Sequence, residues 1–332
     1  MKARQTTARN TPDDAANRPT IRIGVSSCLL GERVRYDGND KRDAYVTGTL
    51  SRYFDLVPVC PEVAVGLGVP RPPIRLVGDV KSPRALGVHD PALDPTDALR
   101  AFGRTMATEL SAISGYLFKS RSPSCGMEGV PVYPTVGSRR ARKGVGLYAR
   151  EIMNAHPLLP VEEEGRLADA GLRDNFLERV FALRRWQETM LADPSPEGLA
   201  AFHRAHRLSL MAHGRGPLGA LDDALARIGD TDIRQLAGEY FSVFMTALKC
   251  RATPHRHIRV LRHLLARLRP YLDGDDKEEL LMLIEAYRCG RLPRIMLLVL
   301  FGHHFRRHPD PAIVQSVYLY PGPEELMLRS AL

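Results

Sequence analysis

The sequence lacks any Cys-X-X-Cys pair. Such pairs are typical of zinc knuckles, thioredoxin-like redox sites and ferredoxin-type clusters, so their absence argues against all three. The chain has only five cysteines, an odd number without a disulfide framework, which favours a reducing compartment. Cys250 and Cys289 fall within helical patterns, where we expect them to be buried core residues.

Long apolar runs are also missing. No segment reaches the length of a transmembrane helix, and residues 1–20 lack the apolar core of a signal peptide. We therefore expect a cytoplasmic protein without a membrane partner, and a disordered tail over residues 1–20. The 332 residues suffice for two domains, each with its own core.

The three remaining cysteines, Cys28, Cys60 and Cys125, lie far apart in short loop-like segments. Cys28 and Cys60 each follow an apolar run typical of a buried strand, and Cys125 lies a few residues beyond a third one. Thiols delivered to one end of a sheet make a soft-metal site with one ligand missing, and an iron–sulfur cube held there would keep one iron open for substrate. A zinc ion with three thiolates and water, or three plain buried thiols, are the alternatives.

Alternating strand and helix patterns in the first half predict an α/β domain with a doubly wound, mainly parallel sheet. The predicted strands cover residues 21–25, 56–59, 115–119 and 158–161, and the predicted helices cover residues 43–53, 95–113 and 145–154. From about residue 175 only helical patterns remain, which predicts an all-α helical bundle. We place the junction at the acidic residues 162–165, giving domains of residues 21–165 and 166–332.

The positive charge is unevenly distributed. The formal net charge is +9, residues 1–150 account for all of it, and residues 151–332 sum to zero. This favours a polyanionic substrate for the first half. Residues 138–144 form a basic run between glycines that either follows an RNA backbone or is a solvated face; its cations are Arg139, Arg140, Arg142 and Lys143.

Several polar residues close to the cysteines are candidates for substrate contacts. Glu62, two residues after Cys60, is a metal ligand, a general base or a solvated charge. Ser122 either donates a hydrogen bond to a substrate or is a turn residue before a proline. Ser26 and Ser27 either form hydrogen bonds to a cluster or a substrate, or they cap a loop. Arg35 and Tyr36 either bind phosphate or stack on a base, or they belong to a surface loop.

Short segments within residues 20–160 resemble the thiouracil desulfidase family. They are residues 27–31 (SCLLG), 35–38 (RYDG), 59–62 (VCPE), 70–71 (PR) and 122–126 (SPSCG). The second half resembles an all-helical domain often fused to it, through residues 202–206 (FHRAH), 210–213 (LMAH), 287–288 (YR) and 318–321 (YLYP). This two-part arrangement resembles the bacterial desulfidases that convert 4-thiouridine in tRNA back to uridine.

The resemblance implies a [4Fe–4S] cluster on Cys28, Cys60 and Cys125, and implies a catalytic role for Glu62. Hydrolytic removal of sulfur needs a base for the attacking water and a Lewis acid for the departing sulfide. Thiocarbonyl sulfur is soft and matches an open iron. The expected function is desulfuration of a thiolated pyrimidine, 4-thiouridine in tRNA first, with free thiouracil or a thiouridine nucleoside as the alternative. A non-catalytic, cluster-bearing RNA-binding or redox-sensing protein is the alternative from another class.

Three histidines of one helical segment suggest a metal site at first sight. His203 and His206 are three residues apart and share a helix face, and His213 follows. No carboxylate nearby on that face completes a ligand set, so we expect these histidines to serve helix packing.

Overall fold

The computed structural model describes residues 21–135, 142–191 and 193–330. The predicted tail, residues 1–20, lies outside the described residues. The strands are β1 (Ile21–Ser26), β2 (Phe54–Val59), β3 (Ile74–Val77), β4 (Arg84–Gly87), β5 (Gly115–Phe118), β6 (Val130–Tyr133), β7 (Arg142–Gly144) and β8 (Val161–Glu163). They form two four-stranded sheets.

The first sheet has the strand order β2-β1-β5-β8, and all its neighbours are parallel. The predicted α/β fold with a mainly parallel sheet is therefore confirmed. The prediction of a strand over residues 158–161 was wrong in its bounds, because β8 begins only at Val161. Residues 156–159 form a turn instead, in which the Leu159 N–H donates to the carbonyl of His156 at 3.0 Å.

The second sheet was missed in the sequence. Its order is β4-β3-β6-β7, with antiparallel pairs at both edges and a parallel pair in the centre. Its strands have only three or four residues each, too few for a clear alternation of apolar and polar positions. Ile74, Lys143 and Gly144 of this sheet line the same cavity as the cysteines.

The described residues contain twelve α-helices, some between the strands and the others after the last strand. They are α1 (Ala44–Gly48), α2 (Pro61–Ala64), α3 (Thr96–Glu109), α4 (Leu147–Ala155), α5 (Ala170–Trp186), α6 (Pro196–His213), α7 (Arg215–Ala226), α8 (Ile233–Lys249), α9 (Pro254–Leu268), α10 (Gly274–Arg288), α11 (Arg294–Arg307) and α12 (Pro323–Ser330). The expected helix over residues 43–53 is shorter, because α1 ends at Gly48 and a 3₁₀ turn follows. None of the described helices is long and apolar enough to cross a membrane.

Helix α5 packs against the parallel sheet and is also the first helix of the helical half. Phe176 and Val180 on α5 are buried in one core with Ile23 and Leu29. Gly115 on β5 allows this approach, since a Cβ there would lie 2.9 Å from the Val180 side chain. The last helix also returns to this core through the buried Leu328.

The prediction that Cys250 and Cys289 are buried core residues was wrong. Both are exposed, each at the residue that ends a helix, α8 and α10 respectively. A helix end lies beyond the last packed turn, so a helical pattern that reaches the terminus does not imply burial.

Candidate functional site

The three predicted thiols line one cavity of about 1700 Å³. Cys28 lies two residues beyond β1, and Cys60 directly follows β2. Cys125 lies in the loop after β5. Because the strands are parallel, their carboxyl ends meet at one edge of the sheet, where ligands of such sheets bind. The structure thus brings together residues that are up to 97 positions apart.

Burial is the main influence on the pKa values of the three thiols. Burial, with a smaller contribution from a Cys60 thiolate, raises the pKa of Cys28 to about 11 against the lowering effect of Lys119. The pKa of Cys125 is raised well above its usual value, first by burial and then by charges that include Cys28 and Cys60. Burial also raises the pKa of Cys60. Three thiolates would repel one another here unless a cationic group lay between them.

This donor set fits an iron–sulfur cluster. Thiolates are the usual ligands of such clusters, and three of them leave one iron open. In a cube each thiolate bonds a different iron, so the sulfurs need not surround a single ion. No set of three His, Cys, Asp or Glu side chains that could hold one metal ion occurs in the described parts of the chain.

Local backbone structure fixes the Cys28 loop. Residues 27–30 form a 3₁₀ turn that ends at Gly31, whose φ of 92° is disfavoured for residues with a Cβ. The Cys28 carbonyl accepts hydrogen bonds from the N–H groups of Gly31 and Lys41. The thiol is therefore held on a closed turn rather than on an open loop.

The Cys125 loop is held by Ser122. Its Oγ accepts hydrogen bonds from the N–H of Ser124 at 3.2 Å and of Cys125 at 3.0 Å. The N–H of Leu147 at the start of α4 donates to the Pro123 carbonyl. Gly146 permits this close packing, since a Cβ there would clash with the Ser124 backbone. Ser122 lines the cavity, so it combines the turn role with a position beside the thiols.

Both carboxylate oxygens of Glu62 accept hydrogen bonds from neighbouring side chains. Its Oε2 accepts from Arg71 Nη2 at 2.6 Å and Nε at 2.9 Å, and its Oε1 accepts from Ser124 Oγ at 2.8 Å. Arg71 also donates through Nη1 to the carbonyls of Val34 and Gly68. The sequence reasoning did not assign Arg71 or Ser124 to the site; the only signal for them was their place inside the family-like segments.

A second missed group surrounds Lys119, which lines the cavity beside Cys28. Lys119 Nζ donates to Glu164 Oε1 at 2.5 Å, and Ser120 donates to the same carboxylate through N–H and Oγ. Ser26 Oγ accepts from the Lys119 N–H at 2.9 Å, and the Ser26 side chain lowers the pKa of Cys125 against the larger effect of burial. The predicted Ser26 and Ser27 are buried and line the cavity.

Arg35 and Tyr36 lie at the cavity wall, as their place after Cys28 suggested. The Arg35 guanidinium lies 5.4 Å from the centre of the Tyr36 ring, and 42% of Tyr36 is exposed. Arg35 Nε is buried, lies 3.5 Å from Asp37 Oδ1 and makes no hydrogen bond within the described residues. The pair thus offers a cation and an accessible ring to a ligand.

The basic run is only partly described. Arg139 and Arg140 lie outside the described residues. Arg142 and Lys143 are exposed on β7, and Lys143 lines the cavity. The second sheet therefore brings at least one cation of this run to the cavity that the thiols line.

The three histidines of α6 serve packing and hydrogen bonding. His203 contacts Tyr240 and Asp222, and His213 Nε2 lies 3.1 Å from Glu178. His206 bonds to the Phe202 carbonyl and stacks on the Phe202 ring. All three are buried away from the thiol cavity.

Comparison with known proteins divides the chain into two parts. Residues 23–164 match the family model for 2-thiouracil desulfurase, and residues 207–323 match the model DUF1722, a protein of unknown function. The uncharacterized protein YbgA of Escherichia coli K12 is 26% identical over 157 residues, covering 47% of this chain and 93% of YbgA.

A solved structure, the [4Fe-4S]-dependent thiouracil desulfidase TudS, is 29% identical and is matched over 45% of this chain and 94% of its own, with a TM-score of 0.37. The two family models cover the α/β half and most of the helical half. By the family models, residues 23–164 of this chain are similar to 2-thiouracil desulfurases, and a region similar to DUF1722 follows them at residues 207–323.

Proposed function

We propose that this protein hydrolyses the C=S bond of a thiolated pyrimidine. One water replaces the sulfur: the carbon gains oxygen, sulfur leaves as hydrogen sulfide, and no external electrons are needed. The observation that carries the proposal is the meeting of Cys28, Cys60, Cys125 and Glu62 at one cavity. In this proposal residues 21–165 form the desulfidase domain and residues 166–332 the helical domain.

The three cysteines would hold a [4Fe–4S] cluster. Such a cluster with one open iron supplies a soft Lewis acid for thiocarbonyl sulfur. Lys119 and Arg35 lie near Cys28, and the charge of each favours its thiolate form. Both cations would offset the negative charge that gathers when sulfur departs.

Glu62 would act as the general base that takes a proton from the attacking water. Arg71 and Ser124 fix both carboxylate oxygens, so the side chain keeps one orientation. The lone pairs that these hydrogen bonds leave free remain available for a water proton. Proximity to Cys60, two residues earlier, places this base beside the cluster ligands.

Ser122 would donate a hydrogen bond to the pyrimidine. A hydroxyl has two acceptor lone pairs and one donor proton. Both acceptor positions of Ser122 are occupied by the backbone N–H groups of Ser124 and Cys125. Its proton is therefore left for a ligand in the cavity.

We further propose 4-thiouridine in tRNA as the substrate. The cavity of about 1700 Å³ exceeds the roughly 300–1,000 Å³ typical of small-molecule sites. Nine cationic side chains line it against three carboxylates among the described residues. Lys81 and Lys143, in the part of the cavity lining that belongs to the second sheet and its loops, would neutralise backbone phosphates.

A substrate comparison tests this proposal. The protein is purified without oxygen and given thiolated tRNA, free 4-thiouridine and free 2-thiouracil, and sulfide release is measured for each. We expect a much higher kcat/KM with tRNA. Equal or better turnover of the free compounds would favour the small-molecule alternative, and no sulfide from any of them, with the cluster intact, would favour the non-catalytic one.

A further inference from the structure

The helical half contains a cavity of its own, of about 290 Å³. Its walls come mainly from α5, α9 and α11 and from the segment before α12. Two tyrosines from the segments singled out in the sequence, Tyr287 and Tyr318, face it, and the proposed desulfuration uses neither. Both belong to the DUF1722 region, whose function is unknown.

The carboxylates of this cavity are already neutralised. Asp174 accepts from Arg294 at 3.0 Å and from Arg329 at 2.6 Å, which holds the pKa of Asp174 low, at about 2. Glu178 lies 3.1 Å from His213 and 3.7 Å from Arg329. These ion pairs form the floor of the cavity and leave no unpaired negative charge on its acids to repel an anion.

The hydrogen bonds of His257 fix where its proton lies. Arg294 can only donate, and its Nη1 lies 2.6 Å from His257 Nε2 and 3.3 Å from Nδ1, so the nearer Nε2 is the acceptor. The neutral ring then carries its proton on Nδ1, which lies 2.9 Å from the Tyr318 hydroxyl. Nδ1 therefore donates to Tyr318, and the hydroxyl proton of Tyr318 has no acceptor among the described residues. Tyr318 is only 4% exposed, so this is a buried and unused donor.

Two further donors face the same space. The Tyr287 hydroxyl has no hydrogen-bond partner within the described residues, and the Tyr287 ring is half-buried. Arg251 lines the cavity with a side chain 48% exposed, and its only ion pair within the described part of the chain is with Asp169 at 3.2 Å. Gly171 makes room for this guanidinium, since a Cβ there would clash with it. The groups available to a ligand are thus two hydroxyls and those N–H donors of Arg251 that do not bond to Asp169.

We propose that this cavity binds a phosphate group, held by Tyr287, Tyr318 and Arg251. A volume of about 290 Å³ is close to the lower limit of small-molecule sites and is far larger than one water. A donor-rich site beside a half-exposed guanidinium that has further N–H groups to offer matches an oxyanion. The phosphate belongs either to a small phosphate ester or to the end of an RNA chain.

Calorimetric titration of the full-length protein tests the site. The probes are inorganic phosphate, uridine 5′-monophosphate, and tRNA with or without its 5′-phosphate. The Tyr287→Phe/Tyr318→Phe double variant removes both hydroxyls and keeps both rings. Tyr271→Phe is the matched control, because Tyr271 is 61% exposed and stacks on His308 outside the cavity.

We expect the double variant to bind phosphate or uridine monophosphate about tenfold more weakly than the wild type, and the control to bind like the wild type. If only tRNA carrying its 5′-phosphate shows this loss, the phosphate comes from RNA. Equal affinities of wild type and double variant for every probe would overturn the proposal. The cavity would then contain only solvent. If the double variant does not fold, Tyr287→Phe alone, at a half-buried position, answers the same question.

Discussion

Glu62 and Arg71 form an almost buried ion pair beside the cysteines, with 2.6 Å between Oε2 and Nη2 and side-chain exposures of 12% and 4%. Arg71 is in turn fixed by the carbonyls of Val34 and Gly68. The proposed base therefore rests on a rigid support that joins the loops after β1 and β2.

The first prediction concerns ligation. Serine at Cys28, Cys60 or Cys125 removes one thiolate, so each variant should lose a brown, oxygen-sensitive chromophore of about four irons per chain. Iron content and the visible spectrum of anaerobic protein measure this. Cys250→Ser and Cys289→Ser are matched controls, since both thiols are exposed and far from the cavity. Full iron content after loss of any of the first three would show that the proposed ligand set is incorrect.

The second prediction separates catalysis from ligation. Glu62→Gln keeps an oxygen that can accept from Arg71 but removes the base, so sulfide release should fall about a hundredfold or more while the cluster spectrum persists. Glu128→Gln is the control, because Glu128 lines the same cavity but pairs with the half-exposed Arg166. Ser122→Ala should also lower turnover with the cluster intact. Wild-type rates in Glu62→Gln would assign the side chain to structure alone.

The third prediction identifies Arg71 as a positioning residue. Arg71→Met leaves Glu62 free to reorient, so kcat should fall about tenfold or more with little change in KM if Arg71 acts only by positioning Glu62. Arg71→Lys retains one charged donor and should recover part of the loss. An equal loss in both variants together with loss of iron would indicate that Arg71 only maintains the fold of the loops.

The fourth prediction concerns salt. Glutamine in place of Arg139, Arg140 and Arg142 should raise KM for thiolated tRNA and flatten its salt dependence by roughly 0.7–0.9 in log–log slope for each phosphate that is no longer neutralised. Turnover of free 4-thiouridine should not change. Glutamines at the exposed Arg215, Arg269 and Arg291 of the helical half control for net charge. An unchanged slope in the first variant would remove the basic run from the RNA interface.

The last prediction concerns pH. Burial, together with the nearby Arg185, lowers the pKa of His206 to about 3 from 6.5, with Glu178 and His203 also close. Below pH 6.5 the unfolded chain binds a proton that the folded protein excludes, so the free energy of unfolding should fall by about 1.4 kcal/mol per pH unit for this group between pH 6 and 3.

Denaturant unfolding at several pH values measures this slope. His206→Leu should reduce this slope by the contribution of one titrating group. His255→Leu, at an exposed position, should leave the slope unchanged. Because His206 Nε2 is buried without a partner among the described residues, the leucine variant should keep most of its stability at neutral pH. An identical slope in His206→Leu would mean that other groups account for the acid sensitivity.

The cysteine site was predictable because its signals are local. Apolar runs before Cys28 and Cys60 indicated two strands, and parallel strands bring their carboxyl ends to one edge. The support of Glu62 was not predictable in the same way. Arg71 is nine residues away and Ser124 is 62 residues away, and neither spacing has a periodicity that marks a contact.

The sequence by itself determined the fold class of each half, the thiols and the concentration of positive charge in the first 150 residues, because strand and helix patterns and charge are properties of short stretches of chain. Only the tertiary structure decided the second sheet, the grip on Glu62, the sharing of α5 between both halves and the exposure of Cys250 and Cys289. These features depend on contacts between segments that are distant in the sequence. Such contacts are determined by the packing of the whole fold, and no local sequence pattern marks them.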